Sequence, residues 1–257
     1  MPGINYFDKG MNSRRYAQAR PNIHPTAIEE FRSFVGAGVK FARALDAGCG
    51  TGHSTIALSD IAGKVIGLDP SANMLSQTPA HPLVKYCQAA AENMPFSAAN
   101  FDLVMAAQTF HWFEHAAFLS ETKRILRDTG WLIIYTSWFT SEMREDPSFS
   151  QWINDKFLDR FPTPPRNRVA INNELTSKHS FRFRGEKEFS NQIPMTLETF
   201  IEFELSTTNV IAAIRQGKLG FDDAAKWMRA SIAPFYSTHS ERTFLFQGKL
   251  WILKKAA

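Results

Sequence analysis

The chain has 257 residues, 44% of them hydrophobic and 21% charged, with a formal net charge of +4. Such values belong to an ordinary globular protein and exclude a disordered, collagen-like or low-complexity chain. Two cysteines, Cys49 and Cys87, are too few for a disulfide framework, and no apolar run approaches the ~20 residues needed to cross a bilayer. The N-terminal Met-Pro-Gly-Ile-Asn-Tyr-Phe-Asp lacks the basic-then-apolar profile of a secretory signal, so a reducing, cytoplasmic setting without membrane attachment is expected. The mild basic excess suits acidic small molecules or nucleic acid and distinguishes neither. The length fits one α/β domain carrying an inserted segment.

In chain order, Asn12 to Ala19 reads as irregular or helical and Arg20-Pro21 breaks it. A helix follows from Thr26, with Ile28, Phe31, Phe34 and Val35 at helical spacing and Gly36 and Gly38 at its end. Phe41 to Asp46 is a buried strand that feeds a glycine loop, and Ser54 to Ser59 is a short helix. Lys64 to Asp69 is a second strand, after which Ser71 can cap a helix. Leu83 to Gln88 and Phe101 to Ala107 are the third and fourth strands, Ala116 to Leu126 a helix, and Trp131 to Tyr135 a fifth strand beyond Gly130. Strands alternating with helices predict a parallel sheet covered on both faces, with ligands at the carboxyl ends of its strands.

From Ser137 to about Phe189 the chain turns polar and proline-bearing, which predicts an insertion over the active-site face. Within 151–190 eight basic residues (Lys156, Arg160, Arg166, Arg168, Lys178, Arg182, Arg184 and Lys187) stand against five acidic ones. Phe181-Arg-Phe-Arg alternates at strand period, placing Arg182 and Arg184 together on a face that is either solvated or a carboxylate clamp. Thr196 to Ala213 and Phe221 to Ile232 read as helices. Arg242 to Phe246, Gln247-Gly248 and Lys249 to Lys254 carry the pattern of a closing β-hairpin.

The most informative stretch is Leu45-Asp-Ala-Gly-Cys-Gly-Thr-Gly, residues 45–52. A dinucleotide fingerprint needs G-x-G-x-x-G and an acid about 20 residues on. Gly48, Gly50 and Asp69 satisfy part of it, but His53 stands where the third glycine belongs, and no Gly-Lys-Ser/Thr follows for a P-loop. Asp46 at the strand tip disfavours a phosphate and favours a cationic ligand. Cys49 has neither a second cysteine nor a base in any recognisable pattern, so a small filler residue is the plainer reading, and Cys87 reads as core.

This loop resembles motif I of the class I S-adenosylmethionine-dependent methyltransferases, whose cofactor carries a sulfonium, an ammonium and a carboxylate but no phosphate. Four later segments resemble the same family in order: Gly67-Leu-Asp-Pro-Ser-Ala-Asn-Met-Leu, Ala91-Glu-Asn-Met-Pro-Phe, Phe101-Asp-Leu-Val and Arg124-Ile-Leu-Arg-Asp-Thr-Gly-Trp. The resemblance covers roughly residues 40–136 and the closing segment. It implies a Rossmann-like, doubly wound, seven-stranded α/β sheet, mostly parallel with a C-terminal antiparallel hairpin, plus a cap. Residues 36–136 and 240–255 would form the cofactor-binding core, and 137–239 the cap and acceptor-shaping helices, of a single domain over 1–257. It further implies cofactor contacts from Asp46, Gly48, Cys49, Gly50, Gly52, Asp69 (to the ribose hydroxyls), Pro70, Met74, Ala91 and Glu92. Ala90 stands where many relatives have an aspartate beside the adenine, which leaves Glu92 and backbone groups for that role.

Gln108-Thr-Phe-His-Trp-Phe-Glu-His follows the fourth strand. His111 to His115 fits H-x-x-E-H, a zinc-protease pattern, yet it spans a strand-to-helix turn and has no third ligand in sight. The segment resembles the type 11 methyltransferases, in particular the trans-aconitate methyltransferase-like subgroup. That resemblance places Gln108 near the methionine moiety, with His111 and Trp112 facing the acceptor. Tyr16-Ala-Gln-Ala-Arg-Pro resembles a subgroup segment in which Tyr16 covers the cofactor and Arg20 pairs with its carboxylate.

The implied reaction is methyl transfer from S-adenosyl-L-methionine, leaving S-adenosyl-L-homocysteine, without a metal. The acceptor expected is a small acidic metabolite, methylated on a carboxylate oxygen. Proximity and alignment would supply most of the acceleration, and a base such as His111 is needed only for a protonated acceptor. Trp112 and Trp138 would exclude water beside the sulfonium. The alternatives are a malonyl-acyl-carrier-protein O-methyltransferase and a cofactor-binding regulator without catalysis. A nucleic-acid substrate is disfavoured, because acids dilute the basic residues and no RNA-binding module is visible.

Overall fold

A computed structural model describes residues 10–165 and 170–256. The elements in order are α1 (Gly10–Ala19), α2 (His24–Val35), β1 (Ala44–Ala47), α3 (His53–Leu58), β2 (Val65–Asp69), α4 (Ala72–Leu75) and β3 (Val84–Gln88). Then come β4 (Phe101–Ala107), α5 (His115–Ile125), β5 (Leu126–Met143), α6 (Phe149–Trp152), α7 (Leu158–Arg160) and α8 (Asn173–Lys178). The chain ends with β6 (Phe181–Thr196), α9 (Leu197–Leu205), α10 (Thr208–Arg215), α11 (Phe221–Ile232) and β7 (Glu241–Lys255).

The strands form one seven-stranded sheet in the order β3-β2-β1-β4-β5-β7-β6. β1 pairs in parallel with β2 and β4, β2 with β3, and β4 with β5. β7 runs antiparallel: the Lys255 ammonium bonds the Leu126 carbonyl at one end, and the Thr140 hydroxyl bonds the Leu245 carbonyl further along. The strand order therefore reverses between β1 and β4, where such sheets bind ligands.

Two compact units divide the chain. Among the described residues, one comprises 22–137, 170–189 and 248–256; the other comprises 10–21, 138–165 and 190–247. α2 and residues 170–189 belong to the glycine-loop unit, and 240–247 to the second unit.

In the first unit, fully buried Leu45, Leu68, Val104, Leu132, Phe118 and Phe181 fill the sheet's core. β1 and β4 are buried almost throughout, as fits strands with both faces covered. In the second unit the core is aromatic. Phe139 lies within 5.4–6.5 Å, ring centroid to centroid, of Phe149, Phe200, Phe203, Phe244 and Phe246. Phe200 stacks on Phe244 at 4.2 Å.

Three local expectations are corrected. The predicted hairpin at Gln247-Gly248 is one unbroken strand, β7, and the antiparallel pair is β6 with β7. Gly248 is a strand residue whose missing Cβ makes room for the Phe189 ring: a Cβ there would sit 2.2 Å from that ring. The insertion expected from Ser137 to about Phe189 also contains sheet, since β5 continues to Met143 and β6 begins at Phe181. Arg182 and Arg184 lie exposed on β6, a solvated strand face, while Arg166 and Arg168 lie outside the described residues. Finally, the single helix expected over 196–213 is broken at Ser206-Thr207, whose hydroxyls bond the Phe203 and Glu204 carbonyls and compete with the helical ladder.

Candidate functional site

β1 delivers Asp46 and Ala47 to the switch in strand order, and the glycine loop turns from there into α3. Gly48, Gly50 and Gly52 have φ of +71°, +54° and +88°, the left-handed region that side chains resist. Gly52 shows the space argument as well, because a Cβ there would lie 2.5 Å from the Tyr86 hydroxyl. The Gly48 and Cys49 amides both donate to the Leu68 carbonyl, at 2.7 and 3.0 Å, which ties the loop to β2. Cys49 is buried, and burial, with the charges of Asp46 and Asp69 adding to it, pushes its thiol pKa up. Cys87 is half-buried on β3.

Asp69 closes β2. One carboxylate oxygen accepts the Gly50 N–H and the other the Ser71 N–H, both at 2.9 Å. The side chain thus shapes the loop from beneath, and each oxygen keeps a second acceptor position. Burial raises its pKa, against the two amides that lower it. Pro70 next to it is exposed. Met74 is buried in α4, which the Ser71 hydroxyl caps, and a Cβ on Gly50 would sit 3.1 Å from its methyl.

Asp46 is fully buried. Its Oδ2 accepts from the Ser54 hydroxyl at 2.6 Å and the Thr55 hydroxyl at 2.7 Å, while its Oδ1 meets no partner among the described residues. Burial pushes its pKa up to about 6, opposed by those two hydroxyls and aided by the charge of Asp69. Nearby in the same unit, His24 Nδ1 lies 2.7 Å from the Tyr135 hydroxyl. His24 keeps some exposure as a residue, yet desolvation of its ring, with His53 adding to it, lowers its pKa to about 3. Asp46 also raises the Tyr135 pKa, after burial itself. Ser54, Thr55, His24, Tyr86 and Tyr135 were not singled out by sequence reasoning. Ser54 and Thr55 alone carried a local signal, as hydroxyls in the first turn after a glycine loop.

The tip of β4 carries the second group of candidates. Thr109 donates to the Ala47 carbonyl at 3.0 Å, tying this tip to β1. Gln108 has φ +62°, and its Oε1 accepts from the Ser137 N–H and the Thr136 hydroxyl. His111 and Trp112 form a single 3₁₀ turn with Phe110, their rings 4.7 Å apart; His111 is half-buried and Trp112 is 42% exposed. Phe113 is half-buried and packs on Phe118 at 4.6 Å. The other two members of H-x-x-E-H have structural roles. Glu114 caps α5 through the Ala116 and Ala117 amides, and His115 binds the Phe110 carbonyl while stacking on its ring. Glu92 accepts the Glu114 N–H at 2.9 Å, and Ala91 is buried beside it.

Tyr16 and Arg20 lie in the second unit. The Arg20 guanidinium lies 4.7 Å from the Tyr16 ring centroid and 5.5 Å from that of Phe203, and it donates to the Ser206 carbonyl at 2.9 Å. It thereby fastens the end of α1 to the α9–α10 corner. Arg15 adds a bridge to Glu202 at 2.8 Å. Exposed Trp138 lies in this unit too.

Comparison with known proteins bears on this arrangement. Residues 45–134 match the profile of the methyltransferase domain of the type 11 family. A Dictyostelium discoideum protein named as a methyltransferase is 27% identical over 226 residues, covering 84% of this chain and 83% of its own. The malonyl-[acyl-carrier protein] O-methyltransferase of Enterobacter lignolyticus is 36% identical over 143 residues, 51% of this chain and 57% of that protein. Among solved structures, a protein described as a type II methyltransferase from Anaeromyxobacter dehalogenans shares the fold with a TM-score of 0.65, at 23% identity over 92% of this chain and 96% of that one. A glycine cradle and acid at the β1 and β2 tips, within a 3-2-1-4-5-7-6 sheet, agree with these likenesses. The methyltransferase domain matched over residues 45–134 and the methyltransferase relatives together support a class I S-adenosylmethionine-dependent methyltransferase.

Proposed function

We propose that this methyltransferase acts on a small acidic metabolite, methylating a carboxylate oxygen. The observation that carries the cofactor half is the glycine loop, whose left-handed glycines leave no Cβ in the cradle while Asp69 draws in the Gly50 amide. The fully buried Oδ1 of Asp46, without a partner among the described residues, adds an acceptor suited to a cationic ligand. These residues fit the cofactor. Asp69 would take the ribose hydroxyls, Ala91 and Glu92 the adenine, and Asp46, the glycine loop and Gln108 the methionine part. When bound, the cofactor supplies an activated methyl on a cationic sulfur.

The chain's own task is orientation and exclusion of water. Trp112 presents an aromatic face, and His111 beside it offers a base to an acceptor that must lose a proton. A carboxylate needs no base. The O-methyltransferase named among the relatives supports an oxygen acceptor. It also supports a second reading, in which the acceptor is a malonyl group on a carrier protein. Within its own unit Arg20 fastens α1 through the Ser206 carbonyl.

The test is transfer of labelled methyl to a panel of small di- and tricarboxylic acids and, separately, to malonyl-carrier protein. Label in the small acids supports the first reading. Label only in the carrier protein replaces it with the second. Loss of cofactor affinity in Asp69→Ala checks the cradle independently.

A further inference from the structure

An acid without a counter-charge lies beneath the glycine loop. Asp46 is fully buried, Ser54 and Thr55 both bond its Oδ2, and its Oδ1 has no partner among the described residues. The ionisable groups that share its field are Cys49 in the loop, Asp69 at the end of β2, Tyr86 on β3 and Tyr135 on β5. The helices on that face add His24 from α2 and His53 from α3, and burial favours the neutral form of each. No lysine or arginine is among the groups that act on this acid. Its charged form therefore depends on the hydroxyls that can turn towards it.

Tyr135 is placed to do so. Asp46 pairs with Met105 on β4, and Met105 pairs with Ile133 on β5. Tyr135 stands two residues beyond Ile133, so its side chain leaves the sheet on the face that carries Asp46. The residue is 1% exposed, its ring meets the Phe189 ring edge-on at 6.1 Å, and its hydroxyl lies 2.7 Å from His24 Nδ1. Two neutral arrangements of this pair exist. In one, the hydroxyl donates to Nδ1 and the imidazole proton sits on Nε2. In the other, Nδ1–H donates to the phenol oxygen, and the hydroxyl proton is free to turn elsewhere. Each group carries one proton in both, so the exchange creates no charge. Ionised Asp46 favours the second, because it attracts the freed O–H dipole.

We propose that Tyr135, steered by His24, is a positioning residue for the cofactor. Its hydroxyl turns towards Asp46 when that acid is charged and towards His24 when it is not. The pair thereby sets how strongly the chain prefers a sulfonium to a neutral sulfur. The inference rests on the cofactor reading above and deepens it. The charge on Asp46 is present above about 6 and is lost as pH falls through that value, so the preference falls with it.

The test is calorimetric titration of the full chain with S-adenosylmethionine and S-adenosylhomocysteine from about pH 7.5 down to about 4.5, the range that brackets this ionisation. The two ligands share the nucleoside and the amino-acid end, so the ratio of their affinities isolates the sulfonium. In the wild type the ratio should drop at least ~10-fold towards acid, and Asp46→Asn should flatten it. Tyr135→Phe removes the donor, keeps the ring and should move the midpoint up by about one pH unit. His24→Phe removes the competing acceptor and should leave the midpoint at or below the wild-type value. A Tyr135→Phe midpoint that stays or falls, or a His24→Phe midpoint that rises, overturns the inference alone, since a merely structural pair would shift both alike. Should Tyr135→Phe fail to fold, the sign of the His24→Phe shift decides. A flat wild-type ratio, or a slope that survives Asp46→Asn, overturns it as well. A wild-type chain that binds neither ligand overturns the cofactor reading and this inference with it.

Discussion

The glycine loop and the phenylalanine cluster of the second unit are held together by opposite means. Around residues 46–55 the structure depends on directional contacts: two hydroxyls on one Asp46 oxygen, two amides on Asp69 and backbone angles that only glycine tolerates well. Around Phe139 and Phe200 it depends on volume, with rings packed edge-to-face and stacked and no hydrogen bond required. Packing by volume accepts another residue of similar bulk. A directional site fails on the addition of one methyl group in the wrong place.

The largest expected effect tests the volume side. Phe200→Ala should destabilise the chain by about 3–5 kcal/mol, whereas Phe200→Leu should cost much less, both read by chemical denaturation. Equal losses from the two would show that ring geometry, rather than bulk, governs the cluster.

Gly52→Ala adds a single carbon on the directional side. It should cost about 1–3 kcal/mol in stability and at least ~10-fold in cofactor affinity. Because the new Cβ meets the Tyr86 hydroxyl, adding Tyr86→Phe should restore part of the loss in a double-mutant cycle. Strict additivity would refute the steric account.

Acidification separates the charged members of the loop region. Asp46, raised to about 6, binds a proton more tightly folded than unfolded, so its contribution grows more favourable as pH falls from about 6 towards 4. His24, lowered to about 3, refuses a proton that the unfolded chain takes near 6.5. Its contribution is present above that pH and is lost as pH falls towards 3. His24→Gln should therefore lose less stability than the wild type between pH 6.5 and 4, measured by denaturation across that range. A parallel pH dependence in the two proteins would remove His24 from the account.

The smallest effect belongs to the surface. Arg229 and Glu198 form an exposed pair, and Arg229→Gln should leave the melting temperature unchanged within error, since water screens such pairs.

Much of the fold was legible because its signals are local. The strands β1 to β4, the helix at Phe221–Ile232 and the Ser71 cap all lie where apolar periodicity and short polar residues predicted them. The glycines and Asp69 were legible for the same reason, as one loop and one acid at a fixed interval.

What the sequence by itself determined is thus the alternating architecture, the glycine loop and its acidic partner, because backbone conformation and hydrophobic period are written in neighbouring residues. Only the tertiary structure decided what depends on distant partners. It made Gly248 a strand residue beneath Phe189 and put β6 at the sheet's edge. It sent Arg20 to the Ser206 carbonyl, left one Asp46 oxygen without a partner among the described residues and turned the Gln108 amide by contacts from β5. Each of these is set by a partner tens of residues away or by the absence of one, and the pairing rules of a chain carry no local trace of it.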